Sequence, residues 1–298
     1  MNLTGLHFLL TYQCTFECDH CFVWGSPWQQ GTFTLGQVRT ALQQAQDTGT
    51  VTGIYFEGGE PFLYYPILLR GVQEARKMGF SVGIVSNAYW AEDVESAEEW
   101  LRPFVGLLDG LTVSSDLFHY SEKMSRQAKN ATIAAENLGI SLGVICIAQP
   151  KEGGIETVGQ LPEDEGAVMY RGRAAVKLVG KAGRAAWDSF TECPHEDLRE
   201  PGRVHVDAYG NLHLCQGIVI GNLFQQPLKD ICAQYDPEAH PIVGALLAGG
   251  PAELSRRYGA PREESYADAC HLCYETRRAL RERFPEQLAP DQMFGAPV

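Results

Sequence analysis

Short apolar runs alternate with amphipathic stretches through the first part of the chain. The amphipathic stretches repeat apolar positions every three or four residues, which indicates helices, and the shorter apolar runs indicate strands. The predicted strands lie at 6–11, 53–59, 80–88, 110–116, 140–150 and 175–180. The predicted helices lie at 35–49, 65–79, 93–102 and 121–138. Gly49, Gly79 and Gly139 mark the ends of three of these helices, where glycine is common.

Strands that alternate with helices and are almost wholly apolar indicate a parallel sheet covered by helices, an α/β fold. An irregular, acidic stretch at 151–168 separates the fifth and sixth predicted strands. Six strand–helix units are too few for a closed eight-stranded barrel. Because chemistry in such sheets lies at the carboxyl ends of the strands, we expect the functional residues in the loops that follow the strands.

The pattern changes near residue 187. Alternating residues on both sides of a Gly-Asn turn predict a β-hairpin at 203–215. Helical segments follow, and a last helix is predicted at 269–284. We therefore expect two domains, at 1–187 and 188–298.

Composition narrows the classes of function. The 298 residues can form a large core in one domain together with an appendage. The formal charge is −13 and no basic block is present, which argues against nucleic acid as the main partner. No stretch approaches the roughly 20 apolar residues of a membrane helix, and the N-terminus lacks the charged region of a signal peptide. We expect a cytoplasmic protein in a reducing compartment, which suits thiolates kept for metal.

Three cysteines occupy the loop after the first predicted strand. Cys14, Cys18 and Cys21 are spaced C-x3-C-x2-C. Three thiolates can hold three irons of a 4Fe–4S cube and leave the fourth iron open for a ligand. A zinc site and a disulfide framework are the alternatives. Structural zinc usually takes four ligands, however, and disulfide frameworks are typical of short secreted chains.

A glycine-rich segment, Gly58-Gly59-Glu60-Pro61, ends the second predicted strand. Together with the cysteine triplet it resembles the radical SAM superfamily, whose cluster binds S-adenosylmethionine (SAM) at its open iron. The resemblance implies a partial (β/α)6 TIM-like barrel. It also implies reductive cleavage of SAM to a 5′-deoxyadenosyl radical, which takes a hydrogen atom from the substrate. The electron would come from a one-electron reductant such as flavodoxin or ferredoxin.

The resemblance further implies contacts to SAM from the strand ends. Glu60 is expected to accept hydrogen bonds from the ammonium group of SAM, while Gly58 and Gly59 let the backbone approach closely. His20 stands before the third cysteine, where the family commonly has an aromatic residue beside adenine. Further polar contacts are expected from Ser86, Asn87, Ser114, Ser115 and Asp116. A plainer interpretation stays open, because such residues are common in turns and a loop histidine can lack a role.

Four more cysteines lie in the tail: Cys193, Cys215, Cys270 and Cys273. The last two form C-x2-C at the start of a helix, where one turn can present both thiolates to one metal. The set is similar to the twitch domain, the auxiliary-cluster domain of radical SAM dehydrogenases of the 2-deoxy-scyllo-inosamine dehydrogenase type. The hairpin also resembles the start of the larger SPASM domain. The resemblance implies a second, auxiliary 4Fe–4S cluster with four cysteine ligands, and structural zinc is the alternative.

Two cysteines and two arginines each have two alternative roles. Cys146 lies in the strand predicted at 140–150 and Cys232 in a predicted helix, where cysteine usually acts as a small hydrophobe. The alternative is a thiol that donates a hydrogen atom to a substrate radical, as radical SAM epimerases require. Arg171 and Arg173, near the sixth strand, either bind an anionic group of substrate or SAM, or are solvated.

We expect a dehydrogenase that oxidises a small hydroxylated or amino substrate, with the auxiliary cluster accepting the second electron. This hypothesis rests on the compact tail and on a chain that starts at the first strand, without a separate leader-peptide-binding domain. One alternative is an enzyme that matures ribosomally made peptides. Another is a sugar or aminoglycoside epimerase with Cys146 or Cys232 as hydrogen donor. A scaffold with iron–sulfur or zinc sites and no enzymatic activity is a fourth possibility.

Overall fold

The computed structural model describes residues 1–150 and 166–296. The strands in chain order are β1 Gly5–Thr11, β2 Gly53–Gly58, β3 Ser81–Ser86, β4 Gly110–Ser114, β5 Leu142–Ile145, β6 Ala185–Ala186, β7 Arg203–Val206, β8 Asn211–Cys215, β9 Ile218–Asn222 and β10 Ser265–Tyr266. The α-helices are α1 Leu35–Thr48, α2 Tyr65–Lys77, α3 Val94–Leu101, α4 Arg126–Leu138, α5 Ala174–Lys177, α6 Leu228–Gln234, α7 Pro241–Tyr258 and α8 Ala269–Leu280. Most of the acidic stretch expected at 151–168 lies outside the described residues.

One eight-stranded sheet organises the molecule, in the order β5-β4-β3-β2-β1-β7-β8-β9. Strands β1 to β5 are parallel to their neighbours, and β7 is parallel to β1 on its other side. Strands β8 and β9 continue the sheet in antiparallel pairing. The predicted α/β fold with a mainly parallel, partial-barrel sheet is therefore confirmed. The hairpin predicted at 203–215 is also confirmed, and it extends this sheet beyond β1.

The sixth strand predicted at 175–180 is wrong. These residues belong to helix α5 and to a 3-10 turn at Val179–Lys181. Ala174 and Leu178, four residues apart, are both buried, as two positions on one face of a helix would be. A short apolar run cannot be assigned to strand or helix by its pattern alone. The sixth parallel strand is instead β7, which comes from the predicted hairpin.

The helix ends follow local capping chemistry. Helix α1 begins at a capping box formed by Thr34 and Gln37 and ends at Gly49, which is left-handed. Helix α4 begins later than predicted because Ser125 caps it by accepting a hydrogen bond from the amide of Ala128. Its predicted end at Gly139 is confirmed. Among the helices described, none has the length and apolar character required to cross a membrane.

Alternation along β1 separates the two faces of the sheet. Leu6, Phe8 and Leu10 are buried in the main hydrophobic core together with residues of the covering helices. His7 and Leu9 therefore lie on the opposite face. A second apolar cluster, which includes Leu9, joins this face to helices α7 and α8. This opposite face is the inner face of the sheet. It carries polar side chains such as His7 as well as apolar side chains such as Leu9.

Candidate active site

Most of the residues predicted to bind SAM or its cluster line one cavity at the carboxyl ends of β1 to β5. They are Cys14, Cys18, Cys21, His20, Gly58, Gly59, Ser86, Asn87 and Ser114. Ile145 and Ile147, at the end of β5, also line it. The loops that follow five neighbouring parallel strands therefore converge on one space, as expected for this type of sheet.

The two glycines of the Gly58-Gly59 pair are required by close packing against the loop that leads to Cys14. The amide of Gly59 donates a 2.7 Å hydrogen bond to the carbonyl oxygen of Thr11. A Cβ at Gly59 would lie 2.0 Å from the carbonyl oxygen of Gln13, and one at Gly58 would lie 2.5 Å from that of Thr11. Any larger side chain would push the two loops apart.

Glu60 is fully buried and holds the ends of β2 and β3 together. Its carboxylate accepts hydrogen bonds from the hydroxyl of Ser86 at 2.9 Å, the amide of Asn87 at 2.7 Å and the amide of Phe62 at 3.0 Å. Burial raises the pKa of Glu60 to about 7, although these donors oppose the change. The carboxylate thus has three partners within the protein. A contact from Glu60 to the ammonium of SAM stays a prediction.

The cysteine triplet combines buried sulfur with hydrogen-bond donors. Cys14 and Cys18 are buried, and Cys21 is half-buried. The side-chain amide of Asn87 donates to Sγ of Cys14 at 3.5 Å, and the backbone amide of Gly25 donates to Sγ of Cys21 at 3.2 Å. Burial raises the pKa of Cys14 to about 12. A bound metal would deprotonate these thiols, and the donors would then stabilise the thiolates, so the triplet fits an iron–sulfur cluster.

A buried arginine fixes the cysteine loop from the side. Arg173 donates hydrogen bonds to the backbone carbonyls of Cys18 at 2.7 Å and Gly25 at 2.8 Å. Its side chain is only 3% exposed, which excludes the solvated alternative. Arg173 therefore positions the loop through the backbone, a role that the sequence pattern did not indicate.

His20 and Asp116 belong to a polar group beside the cavity. Nδ1 of His119 lies 2.8 Å from the carboxylate of Asp116, and Nε2 of His20 lies 4.0 Å from it. The ring of His20 packs at 4.6 Å from that of Phe118. Burial lowers the pKa of His20 to about 4, so its ring is neutral at physiological pH. His119 also lines the cavity, and its position three residues after Asp116 was the signal that could have identified it.

Ser115, Cys146 and Cys232 lie outside the group of cavity-lining residues given above. The hydroxyl of Ser115 donates to the backbone carbonyl of Lys123 at 2.7 Å. Strand β5 ends at Ile145, so Cys146 follows the strand rather than lying within it. Cys232 is buried in helix α6 as part of the main hydrophobic core.

The four tail cysteines meet at a second, smaller pocket. Cys193, Cys215, Cys270 and Cys273 line it together with Arg171 and Arg277. Asp268 caps α8 by accepting a hydrogen bond from the amide of His271, which starts the helix just before the two cysteines of its first turn. The four thiols supply a complete ligand set for a closed metal site.

Two arginines bring positive charge to this pocket. Arg171 donates to Sγ of Cys215 at 3.1 Å and to the carboxylate of Glu196 at 3.3 Å. Arg277 is 1% exposed and donates to the backbone carbonyl of Gln216. Arg171 is half-buried, and positive charges in this position compensate the negative charge of thiolates. Arg171 thus faces a cysteine sulfur. Arg277 was not identified from the sequence, although it lies four residues after Cys273 on helix α8 and donates to the carbonyl oxygen of that residue at 3.3 Å.

Comparison with known proteins finds a matching family model and a similar protein of Bacillus subtilis. Residues 8–134 match the family model described as the Radical SAM superfamily. The protein YydG of Bacillus subtilis (strain 168), described provisionally as a peptide biosynthesis protein, is 26% identical over 122 residues. That match covers 41% of this chain and 38% of YydG, so the chain matches well under half the length of this relative.

Two solved structures were also compared. BtrN in complex with AdoMet and 2-DOIA has 14% sequence identity and a TM-score of 0.46, and the match covers 77% of this chain and 81% of BtrN. SuiB of Streptococcus suis bound to the precursor peptide SuiA has 11% identity and a TM-score of 0.47. That match covers 91% of this chain and 76% of SuiB.

Proposed function

We propose that this chain, whose residues 8–134 match the Radical SAM superfamily model, is an enzyme that cleaves SAM reductively and oxidises a small hydroxylated or amino substrate. The observation that carries the proposal is the pairing of two cysteine sites. One has three thiols and opens on a cavity, and the other has four thiols in a separate pocket. We also propose a cytoplasmic location and a reductant such as flavodoxin or ferredoxin.

Cys14, Cys18 and Cys21 are proposed to hold the SAM-binding 4Fe–4S cluster. The bound cluster would supply the electron that splits SAM into methionine and a 5′-deoxyadenosyl radical, which removes a hydrogen atom from the substrate. The backbone of Gly58 and Gly59 and the polar side chains of Ser86, Asn87 and Ser114 are proposed to contact SAM. The neutral ring of His20 is proposed to pack beside adenine.

The spacing of the sulfurs supports an iron–sulfur cluster rather than zinc at the four-cysteine pocket. Four sulfurs bonded tetrahedrally to zinc at about 2.3 Å would lie about 3.8 Å apart. Within residues 1–150 and 166–296, two groups of His, Cys, Asp or Glu have three or more ligand atoms all within 4.8 Å, and neither contains a cysteine. Any three of the four sulfurs therefore include a pair more than 4.8 Å apart, a separation that favours the larger cubane cluster over zinc.

The second cluster would complete a two-electron oxidation. Oxidation of an alcohol to a carbonyl removes two electrons and two protons from the substrate. One hydrogen atom goes to the 5′-deoxyadenosyl radical, which becomes 5′-deoxyadenosine. Cys193, Cys215, Cys270 and Cys273 would hold a second cluster able to accept the remaining electron, which the oxidised form of a one-electron carrier such as flavodoxin or ferredoxin would then take up, and one proton is released. Arg171 and Arg277 support this role because positive charge beside the cysteines favours a cluster that accepts an electron.

Peptide modification is the second candidate, and the similarity to YydG supports it. Epimerisation is a variant of either candidate, in which Cys146 or Cys232 returns a hydrogen atom to the substrate radical. Cys146 lies between two residues that line the cavity, Ile145 and Ile147. An epimerase reaction in deuterated water would place deuterium on the product carbon, whereas an oxidation would not.

The experiment compares substrates and cysteine variants. Reconstituted, reduced enzyme with SAM is offered aminocyclitols in one series and peptides in another, and products are identified by mass spectrometry. We expect an aminocyclitol product lighter by two hydrogen atoms. Replacing both Cys270 and Cys273 by Ala should stop this oxidation while 5′-deoxyadenosine still forms, and the wild type reconstituted in the same way is the control. Continued oxidation by the double variant would contradict the electron-acceptor role.

A further inference from the structure

Three polar side chains meet on the inner face of the sheet, on three adjacent parallel strands. They are His7 of β1, Glu57 of β2 and His205 of β7. His7 lies directly opposite His205 in the β1–β7 pairing and opposite Tyr55 in the β1–β2 pairing. Glu57 follows Tyr55 by two positions and therefore lies on the same face. Sheet register, rather than sequence proximity, brings these residues together.

The donor atoms converge closely. Oε1 of Glu57 lies 3.0 Å from Nδ1 of His7 and 2.9 Å from Nε2 of His205. One ligand atom of each of the three residues lies within 4.8 Å of those of the other two. Two ligands bound to a metal at about 2.1 Å would lie about 3.0 Å apart around an octahedral ion and about 3.4 Å apart around a tetrahedral one. The two separations in the structure are close to the octahedral value and slightly shorter than the tetrahedral one.

The surroundings give the group both rigidity and access. Residues held on strands are positioned more accurately than residues on loops. The ring of Tyr55 stacks on that of His7 with centroids 4.6 Å apart, which restricts the imidazole. The three side chains keep 16–17% of their surface exposed. Glu57 also lines the cavity that contains the cysteine triplet.

The ionisation of the group suits a cation. Burial acts to raise the pKa of Glu57, but His205 and His7 outweigh it and hold that pKa well below its ordinary range. Burial lowers the pKa of His205, which favours its neutral imidazole. Metal ligands must be in these forms, a carboxylate and a neutral imidazole. The hydrogen bonds now seen would be exchanged for metal–ligand bonds.

We propose that His7, Glu57 and His205 bind one divalent transition-metal ion of the zinc or iron(II) class. Two histidines and one carboxylate are a common ligand set for such ions, and they leave further coordination positions open. Those positions would be available to an oxygen atom of a ligand in the cavity. The site is additional to the two cysteine sites and does not depend on the proposed reaction. The competing interpretation is a hydrogen-bonded trio that binds no metal.

Zinc counting tests the proposal on the intact enzyme. Cluster-loaded protein is treated with a chelator, dialysed against micromolar Zn²⁺, and analysed for zinc, iron and sulfide. Wild-type protein should retain one zinc per chain more than Glu57→Gln or His205→Gln, with iron and sulfide unchanged. Zinc bound at the cysteine sites would be common to all of these proteins and cancels in the difference. Tyr55→Phe, which keeps all three ligands, should retain the zinc.

Thermal unfolding gives a second measurement. Zinc that binds only the folded state should raise the unfolding temperature of the wild type more than that of His7→Gln or Glu57→Gln. Circular dichroism first establishes which of the His7, Glu57 and His205 variants are folded. One folded variant is enough for the comparison with the wild type. Equal zinc contents in wild type and a folded ligand variant would overturn the proposal, as would a wild type that retains no zinc.

Discussion

The amide of Gly59 donates a 2.7 Å hydrogen bond to the carbonyl oxygen of Thr11, which joins the glycine loop to the loop that carries the cysteines. The next residue repeats the contact, because the amide of Glu60 donates to the carbonyl oxygen of Gln13 at 2.8 Å. Cys14 follows immediately. The position of the first cysteine therefore depends on the glycine loop as well as on its own strand.

Gly59→Ala should weaken cluster binding. The added methyl group would lie 2.0 Å from the carbonyl oxygen of Gln13, a backbone atom that cannot move alone. We expect a loss of about 3 kcal/mol in stability and reduced iron at the triplet. Gly36→Ala, at an exposed helix position with space around it, is the control. Iron content after reconstitution is the measurement, and equal iron in the two variants would refute the steric argument.

Glu60 should make stability depend on pH. Burial raises its pKa to about 7 from an ordinary value of 4.5. The folded state thus holds the proton of the Glu60 carboxyl group more tightly than the unfolded state does. The stabilisation of the folded state that results is fully present below pH 4.5 and is lost as the pH rises through 7. A pKa difference of one between the folded and unfolded states corresponds to about 1.4 kcal/mol, so the free energy of unfolding should fall by about 3 kcal/mol.

Glu60→Gln should remove this pH dependence. Unfolding temperatures at about pH 4.5 and about pH 8 provide the test, since the pH range over which Glu60 changes the stability lies between them. The wild type should lose more stability than Glu60→Gln over this interval. Glu122→Gln, at an exposed carboxylate, should behave as the wild type. Parallel pH profiles for wild type and Glu60→Gln would show that Glu60 is not the titrating group.

Arg173→Met should destabilise the cysteine loop. The buried guanidinium donates to the carbonyls of Cys18 and Gly25, and hydrogen bonds to charged groups contribute about 1.5–3 kcal/mol each. We expect a loss of about 3 kcal/mol and faster release of iron to a chelator. Arg102→Met, at a side chain that is 55% exposed, is the control. Unchanged iron release in Arg173→Met would contradict its positioning role.

Arg171→Gln should lower the reduction potential of the proposed second cluster. Its guanidinium donates to Sγ of Cys215, and both charge and hydrogen bonds to sulfur set cluster potentials. Removal of the charge should shift the potential downward by on the order of tens of millivolts. Redox titration followed by electron paramagnetic resonance measures the shift. Arg203→Gln, half exposed near Glu196, should leave the potential unchanged, and an equal shift in both variants would exclude a specific effect of Arg171.

The strands β1 to β5 were predictable because each is a short apolar run, and the first four are followed by helices, three of which end at or close to a glycine such as Gly49. The position of β7 beside β1 was not, since a long-range parallel pairing leaves no local pattern. The error at 175–180 has the same origin, because a short apolar segment gains its structure from what it packs against. Tertiary contacts outweigh local preference in such segments.

In the candidate site, too, local motifs were predictable from the sequence and long-range partners were not. The cysteine triplet and Gly58-Gly59 carry their chemistry in local spacing, so the sequence alone indicates them. Arg173 and His205 act across more than a hundred residues, through side-chain reach and sheet register. Such partners become visible only once the strands are placed side by side.

The most direct test of the central claim is the formation of 5′-deoxyadenosine by anaerobically reconstituted, reduced enzyme in the presence of SAM. We predict that the wild type forms it, that Cys18→Ala does not, and that Cys273→Ala still does. A fully iron-loaded wild type that forms no 5′-deoxyadenosine would contradict the account, as would a Cys18→Ala variant that forms as much as the wild type.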